Sequence, residues 1–236
     1  STFNEMLDTV EEVFIHEKQF SSDVSHELRT PITVILAQSD YALQYSDTFE
    51  EAKESLEVIN RHAKRMTNLI NQIMELSKLE RQKEIEKERI NLSNIVLQLL
   101  DDYKPLLESK NLNLVYNVEK DIRIQGNKIM LERVFLNILM NAVKFTKTNI
   151  EVSLTREDKT AVLKIRDDGI GISEENKKFI WERFFQVNDS RNKEENKGSG
   201  LGLSMVKKIV DLHSATIDLE SELEQGTCFT IKFNMQ

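Results

Sequence analysis

Cysteine is nearly absent: Cys228 is the only one in 236 residues. No internal disulfide can form, and the chain suits a reducing compartment. An excess of positive charge is also missing. The formal net charge is -8, which excludes the basic footprint of a nucleic-acid-binding surface. No apolar run is long enough to span a membrane, and no secretory signal stands at the start. The sequence opens at Ser1 inside a helical pattern, as a fragment would. Membrane attachment is therefore expected only through segments outside it, and the fragment itself in the cytoplasm. Glycine is scarce too, with seven residues of which five fall in two clusters. What remains is 39% hydrophobic and 31% charged, a soluble globular balance rich in exposed helix. The length suffices for two modest domains.

The first part of the chain is patterned as helix. Phe3, Leu7, Val10, Phe14, Val24 and Leu28 recur at spacings of three and four, apart from polar slots at 17 and 21. That is the seam of a helix built to pack on other helices. Ser25-His26-Glu27-Leu28-Arg29-Thr30-Pro31 interrupts it. A proline in mid-helix frees the carbonyl of Glu27 and predicts a bend. His26 and Thr30, four apart, share a face, and an acid stands next to the histidine. Histidine is a nucleophile and acid/base group titrating near neutral pH, and an adjacent carboxylate can fix its tautomer. Taken alone, a His-Glu pair on a charged helix is an ordinary surface feature. Residues 44–48 read as a turn, and Thr48-Phe49-Glu50-Glu51 fits a capping box. Phe49, Ala52, Leu56, Ile59, Ala63, Met66, Ile70 and Ile73 then keep the 3,4 spacing. Two such helices predict an antiparallel hairpin. Alone it would expose most of its seam, so two copies are expected to form a four-helix bundle, a homodimer through residues 1–80. The alternative is a hairpin folded onto the rest of its own chain. Residues 81–90 are dense in mixed charge and read as a hinge.

From Ile90 the composition changes. Helices are predicted over 92–109, 127–145 and after Gly202. Strands are predicted over 112–118, 150–155, 161–166, 215–219 and 227–233, the middle pair as a hairpin. This order predicts an α+β sandwich, helices on one face of a largely antiparallel sheet. Asp167-Asp168-Gly169-Ile170-Gly171 follows a strand, where glycines allow a tight turn and close ligand approach. Asp167 can accept a hydrogen bond from an exocyclic amine such as that of adenine. Gly198-Ser199-Gly200-Leu201-Gly202 opens a helix, whose free amides suit phosphate. No G-x-G-x-x-G or G-x-x-x-x-G-K-[ST] motif exists, which disfavours Rossmann and P-loop sites. Asn137, Asn141 and Lys144 lie along one face of the 127–145 helix. Asparagine oxygens suit Mg²⁺ held largely through water and phosphate, and lysine suits phosphate. Phe184-Phe185 followed by a polar, glycine-ended run predicts an anchored lid at about 184–199. Each of these features alone has an ordinary structural explanation.

Together and in this order, the heptapeptide at 25–31, Asn137 to Phe145, Asp167 to Gly171, Phe184-Phe185 and Gly198 to Leu203 resemble the bacterial two-component sensor histidine kinases. The resemblance covers about residue 20 to the end. It implies a dimerisation and histidine-phosphotransfer hairpin (21–80) after a signal-transmitting helix (1–20). A catalytic ATP-binding domain follows (91–236), of the Bergerat type shared with gyrase B and Hsp90. It implies ATP and Mg²⁺ as cofactors and a response regulator receiver domain as partner. The full-length protein is expected to be a membrane-anchored sensor with this part in the cytoplasm. By resemblance His26 is the phospho-acceptor and Glu27 its acid/base partner. Thr30 orients water when the partner is dephosphorylated. Asn137 and Asn141 form the Mg²⁺ and phosphate face, with Asn141 the main metal ligand. Lys144 contacts phosphate, Phe145 lies beside adenine and Asp167 reads it. Gly169, Gly171, Gly198, Gly200, Leu201 and Gly202 form the loops around the nucleotide. Two departures stand out. Gln186 replaces an arginine common in relatives, a role Arg191 could take. His213-Ser214-Ala215 lacks the usual glycine. A scaffold that binds ATP without transferring it, a protein acting mainly as a phosphatase, and a serine/threonine kinase on the same ATP fold are the competing readings.

Overall fold

The computed structural model describes residues 2–187 and 198–235, with side chains described from Lys18 onward. The chain divides into two compact units, Ser1–Glu75 and Leu76–Gln236.

The first unit is a helical hairpin whose second helix runs on past Glu75 into the second unit. Helix α1 spans Thr2–Gln44 and runs uninterrupted through Pro31. The expected bend does not break the helix: residues on both sides keep helical backbone, and Pro31 is buried. Helix α2 spans Phe49–Arg81, with Glu50 and Glu51 in its first turn and Lys78 and Arg81 in its last. That arrangement complements the helix dipole. The turn between them is capped as the sequence predicts, with one difference. Thr48 Oγ1 accepts from the Glu51 amide at 3.3 Å, but the Glu51 carboxylate turns back to the amide of Asp47 at 3.0 Å.

The second unit is a two-layer α/β sandwich. Its five-stranded sheet has the order β2-β4-β5-β7-β6. These strands are Asn113–Val118 (β2), Asn149–Glu157 (β4), Thr160–Asp167 (β5), Thr216–Glu222 (β6) and Gly226–Asn234 (β7). The β2–β4 pair is parallel and the other pairs are antiparallel. Helices α3 (Leu92–Ser109), α4 (Lys128–Phe145) and α6 (Gly202–Leu212) pack together and against the sheet. The register places Val152, Ile165 and Phe229 in one cross-strand row and Leu154, Leu163 and Ile231 in the next. All six are at most 5% exposed. The next row on this face is Ile150, Asp167 and Thr227. Asp167 therefore ends a core-facing row, and both it and Thr227 are 7% exposed. Glu151, Lys164, Arg166 and Glu220, on the opposite face, are exposed.

Three elements were not expected. Glu88–Asn91 forms β1 and pairs antiparallel with β3, Arg123–Gly126. The charged stretch read as a hinge is thus helix to Arg81 and strand again from Glu88, with Ile90 and Ile124 buried beneath the ribbon. A four-residue helix, α5, spans Glu174–Lys177. Asparagines start both major helices: Asn91 accepts from the Asn94 amide and Asn127 from that of Met130. At the end of α6, Ser214 takes the left-handed backbone (φ +54°) usually given to glycine.

Candidate functional site

Helix α4 organises the site. Its apolar side, including Leu131, Phe135, Ile138 and Leu139, is buried in the core. The opposite edge leaves Asn137, Asn141, Lys144 and Phe145 half-buried. Asn137 Nδ2 donates to the Arg133 carbonyl at 2.9 Å, which fixes the side chain along the helix. The Lys144 ammonium stands 4.5 Å from the centroid of the Phe145 ring.

The glycine clusters close onto this helix. A Cβ on Gly202 would stand 2.7 Å from Asn137 Oδ1, and one on Gly198 3.4 Å from Lys144 Nζ. On Gly169 it would stand 2.2 Å from the Phe145 carbonyl oxygen, and on Gly171 1.9 Å from that of Glu222. The tasks read from the sequence for these glycines are a tight turn, close ligand approach and free amides for phosphate. The structure gives Gly169, Gly171, Gly200 and Gly202 a prior one, close packing against protein. Leu201 is fully buried, so it offers a ligand only its backbone. Gly202 starts α6 behind it, with amides not yet engaged in the helix. Phe184 holds a left-handed backbone (φ +61°) and donates its amide to the Gly200 carbonyl at 3.0 Å. A Cβ on Gly200 would fall 2.6 Å from the Phe184 carbonyl carbon. The two ends of the segment read as a lid are thus tied together. Arg191, offered for the lid arginine role, lies outside the described residues. Arg183, just before this segment, is ion-paired with Glu80.

Asp167 sits at the far end of the same site. Burial pushes its carboxyl up to about 6, although the amides of Gly169 and Thr227 bond it and lower it; the neighbouring Asp168 adds to the rise. Asp168 behaves in the opposite way. Its own burial raises it, but hydrogen bonds from Thr146, Thr148 and Asn149 outweigh that and hold it well below the usual carboxylate range. Sequence reasoning missed three residues that hold the site. Asp168 is one, and Thr227, whose amide bonds Asp167, is another. The third is His213, 8% exposed. Its Nε2 accepts from the Asn127 amide at 3.0 Å, which places the proton on Nδ1, 2.7 Å from the Ile209 carbonyl. It thereby pins the end of α6 to the cap of α4. Burial lowers its basicity, against the Ile209 bond, and the charge of Lys87 lowers it further. The signal for His213 was its apolar spacing in α6; for Asp168 it was only the Asp-Asp doublet.

In the first unit His26 and Thr30 are exposed and Glu27 is half-buried. Ser25 Oγ bonds the Ser21 carbonyl and Thr33 Oγ1 that of Arg29. These hydroxyls bond back into the helix, and the imidazole is open to solvent.

An exposed histidine beside an acid on a long helix, and an α/β sandwich whose glycine loops close onto an asparagine-bearing helix, point to one class of protein. The histidine kinase A (phospho-acceptor) domain family matches residues 16–82. The histidine kinase-, DNA gyrase B- and HSP90-like ATPase family matches residues 126–236. The chain belongs to the two-component sensor histidine kinases and comprises their phospho-acceptor and ATPase core. It is 30% identical over 237 residues to the sensor histidine kinase YkoH of Bacillus subtilis, covering 100% of this chain and 51% of that one. It is 32% identical over 242 residues to the signal transduction histidine-protein kinase ArlS of Staphylococcus aureus, covering 99% and 52%. The chain thus spans about half the length of the curated relatives it matches. In fold it resembles the histidine kinase ThkA, solved in complex with the response regulator protein TrrA, with a TM-score of 0.76 at 22% identity over 92% of this chain and 61% of that one. Histidine kinase AdeS of Acinetobacter baumannii gives 0.69 at 22% over 89% and 98%. Among the described residues no helix is long and apolar enough to cross a membrane.

Proposed function

We propose that this chain transfers the γ-phosphoryl group of ATP to His26 and then to an aspartate on a response regulator. The observation that supports this is the convergence on α4 of Asn137, Asn141 and Lys144 with the two glycine loops and Asp167, in a chain whose His26 imidazole is exposed. The neutral His26 nitrogen attacks the γ-phosphorus in line. The N–P bond forms as the bond to the β,γ-bridging oxygen breaks and ADP leaves, while Glu27 accepts or orients the other ring proton. Lys144 and the amides at the start of α6 stabilise phosphate charge, and Asp167 accepts from the adenine amine. Positioning and electrostatics supply most of the rate in such transfers.

The donor set fits Mg²⁺. Asn141 and Asn137 offer amide oxygens suited to a cation held mainly by phosphate and water. Among the described residues no group of three or more His, Cys, Asp or Glu could cage a metal alone. Bound with ATP, Mg²⁺ would neutralise charge on the phosphates. Two hairpins form a four-helix bundle in this reading, residues 1–20 carry a signal into it, and residues between Arg81 and Glu88 give the ATPase unit room to move. Thr30 beside His26 also suits water-mediated dephosphorylation of the regulator. Anchoring to a membrane belongs to segments beyond this chain.

The test is transfer of labelled γ-phosphate from Mg-ATP to the parent, His26→Gln and Asn141→Ala. Acid-labile label in the parent alone is the expected result. Label that survives His26→Gln moves the acceptor elsewhere. A parent that binds ATP but takes no label favours a scaffold or a phosphatase.

A further inference from the structure

Asp168 was given no part in nucleotide chemistry, yet its carboxylate is saturated with donors. Oδ1 accepts from the Thr146 hydroxyl at 2.6 Å and from the amides of Lys147 and Thr148 at 3.0 and 2.9 Å. Oδ2 accepts from the Thr148 hydroxyl at 2.7 Å and the Asn149 side-chain amide at 2.8 Å. All five donors belong to the four residues that follow α4. The Asp168 amide completes the clasp on the Asn149 carbonyl at 3.2 Å. The same segment is held from a second side. Lys147 Nζ reaches the Glu224 carbonyl and carboxylate, and the Glu224 amide bonds the Ile170 carbonyl. Ending a helix requires far less than this. The Thr146 amide already closes on Ala142, and one polar cap usually suffices.

We infer that Asp168 is a positioning residue for nucleotide: by gripping residues 146–149 it fixes the end of α4, with Lys144 and Phe145, against the Asp167 carboxylate. The inference rests on the nucleotide reading of this site. Two properties of the side chain are needed. Both oxygens are used as acceptors, which an asparagine cannot match, because its NH₂ would face the Thr148 and Asn149 donors. The charge also acts on its neighbour, since a second negative charge beside Asp167 favours the protonated form of that residue. The other charged groups around Asp167 are Arg166, Lys177, Glu220 and Glu222, which line the adjacent cavity. Lys144 and Lys147 stand at the end of α4, with Glu224 paired to Lys147.

The experiment titrates Mg-ATP into the parent, Asp168→Asn and Thr148→Val by calorimetry from pH 5 to 8, with thermal unfolding of each protein without nucleotide. Asp168→Asn is expected to weaken ATP binding at pH 7.5 about tenfold or more, and Thr148→Val by less, since it removes one of the five bonds and leaves the charge and the other four in place. Only Asp168→Asn should move the pH midpoint of binding to lower pH, because only it removes a charge. In phosphotransfer, KM for ATP should rise while kcat at saturation holds. A merely structural Asp168 would lower the unfolding temperature and leave the midpoint where it is. That result overturns the inference, as does parent-like affinity in either folded variant; Thr148→Val decides the question if Asp168→Asn fails to fold. A parent that binds no ATP overturns the nucleotide reading itself, whatever the variants do.

Discussion

A carboxylate buried inside a fold is hard to keep ionised, and Asp167, 7% exposed, shows it. Its carboxyl is raised from 3.8 to about 6, chiefly by burial. A group raised in the folded state adds stability below its unfolded value, and that stability is lost as pH rises through the folded one. At pH 7.5 the ionised side chain therefore costs the fold on the order of 3 kcal/mol. Asp167→Asn is expected to unfold at a higher temperature than the parent at pH 7.5, to lose that advantage near pH 4, and to bind no ATP. Thermal scans at both pH values, with nucleotide titration at the higher, check this. His213 pulls the other way. Its basicity is lowered in the fold, so its contribution is present above the ordinary histidine range and is lost as pH falls below it. Just below the ordinary histidine range, where Asp167 also titrates, the two oppose each other, so there the parent's stability should change less with pH than that of Asp167→Asn.

At the level of elements, the site is the seam between α4 and α6, and its glycines decide how close they come. Gly202→Ala would set a methyl against Asn137 Oδ1, whereas Gly198→Ala meets only the mobile tip of Lys144. Both positions have ordinary backbone. Gly202→Ala is expected to weaken ATP binding about tenfold with little change in unfolding temperature, because alanine suits a helix better than glycine. Gly198→Ala should bind as the parent does. Equal losses at both positions, read by calorimetry, would mean that ligand approach rather than helix packing sets the requirement. The long periodic elements were legible in the sequence: α3 occupies the predicted 92–109, and α4 starts behind the predicted Asn127. The ribbon of β1 and β3 was not. Each strand is four residues long, and the charges of Glu88 and Arg89 mask the one buried isoleucine, Ile90, that gives β1 its reason. The motif positions around α4 were legible as residue types in order. Their partners were not, because a glycine's neighbour or the donors to Asp168, some twenty residues away, leave no local pattern.

For the molecule as a whole, the hairpin leaves much apolar surface uncovered within one chain. Leu36 is 59% exposed, Leu56 61% and Met74 67%. Burying one such side chain is worth about 1.5–3 kcal/mol, and a symmetric partner counts each twice. The parent is expected to elute with twice the 27.5 kDa chain mass in light scattering, and Leu56→Asp as a monomer. A monomeric parent at micromolar concentration would remove the bundle from the proposal. The bond from the Phe184 amide to the Gly200 carbonyl has a consequence of another kind. Because the two ends of that connection are fastened to each other, the sheet and helices do not register how much chain runs between them. Doubling the length of a flexible connection costs only about 0.6 kcal/mol. Residues inserted or deleted between them are therefore expected to leave the packing of α4, α6 and the sheet in place.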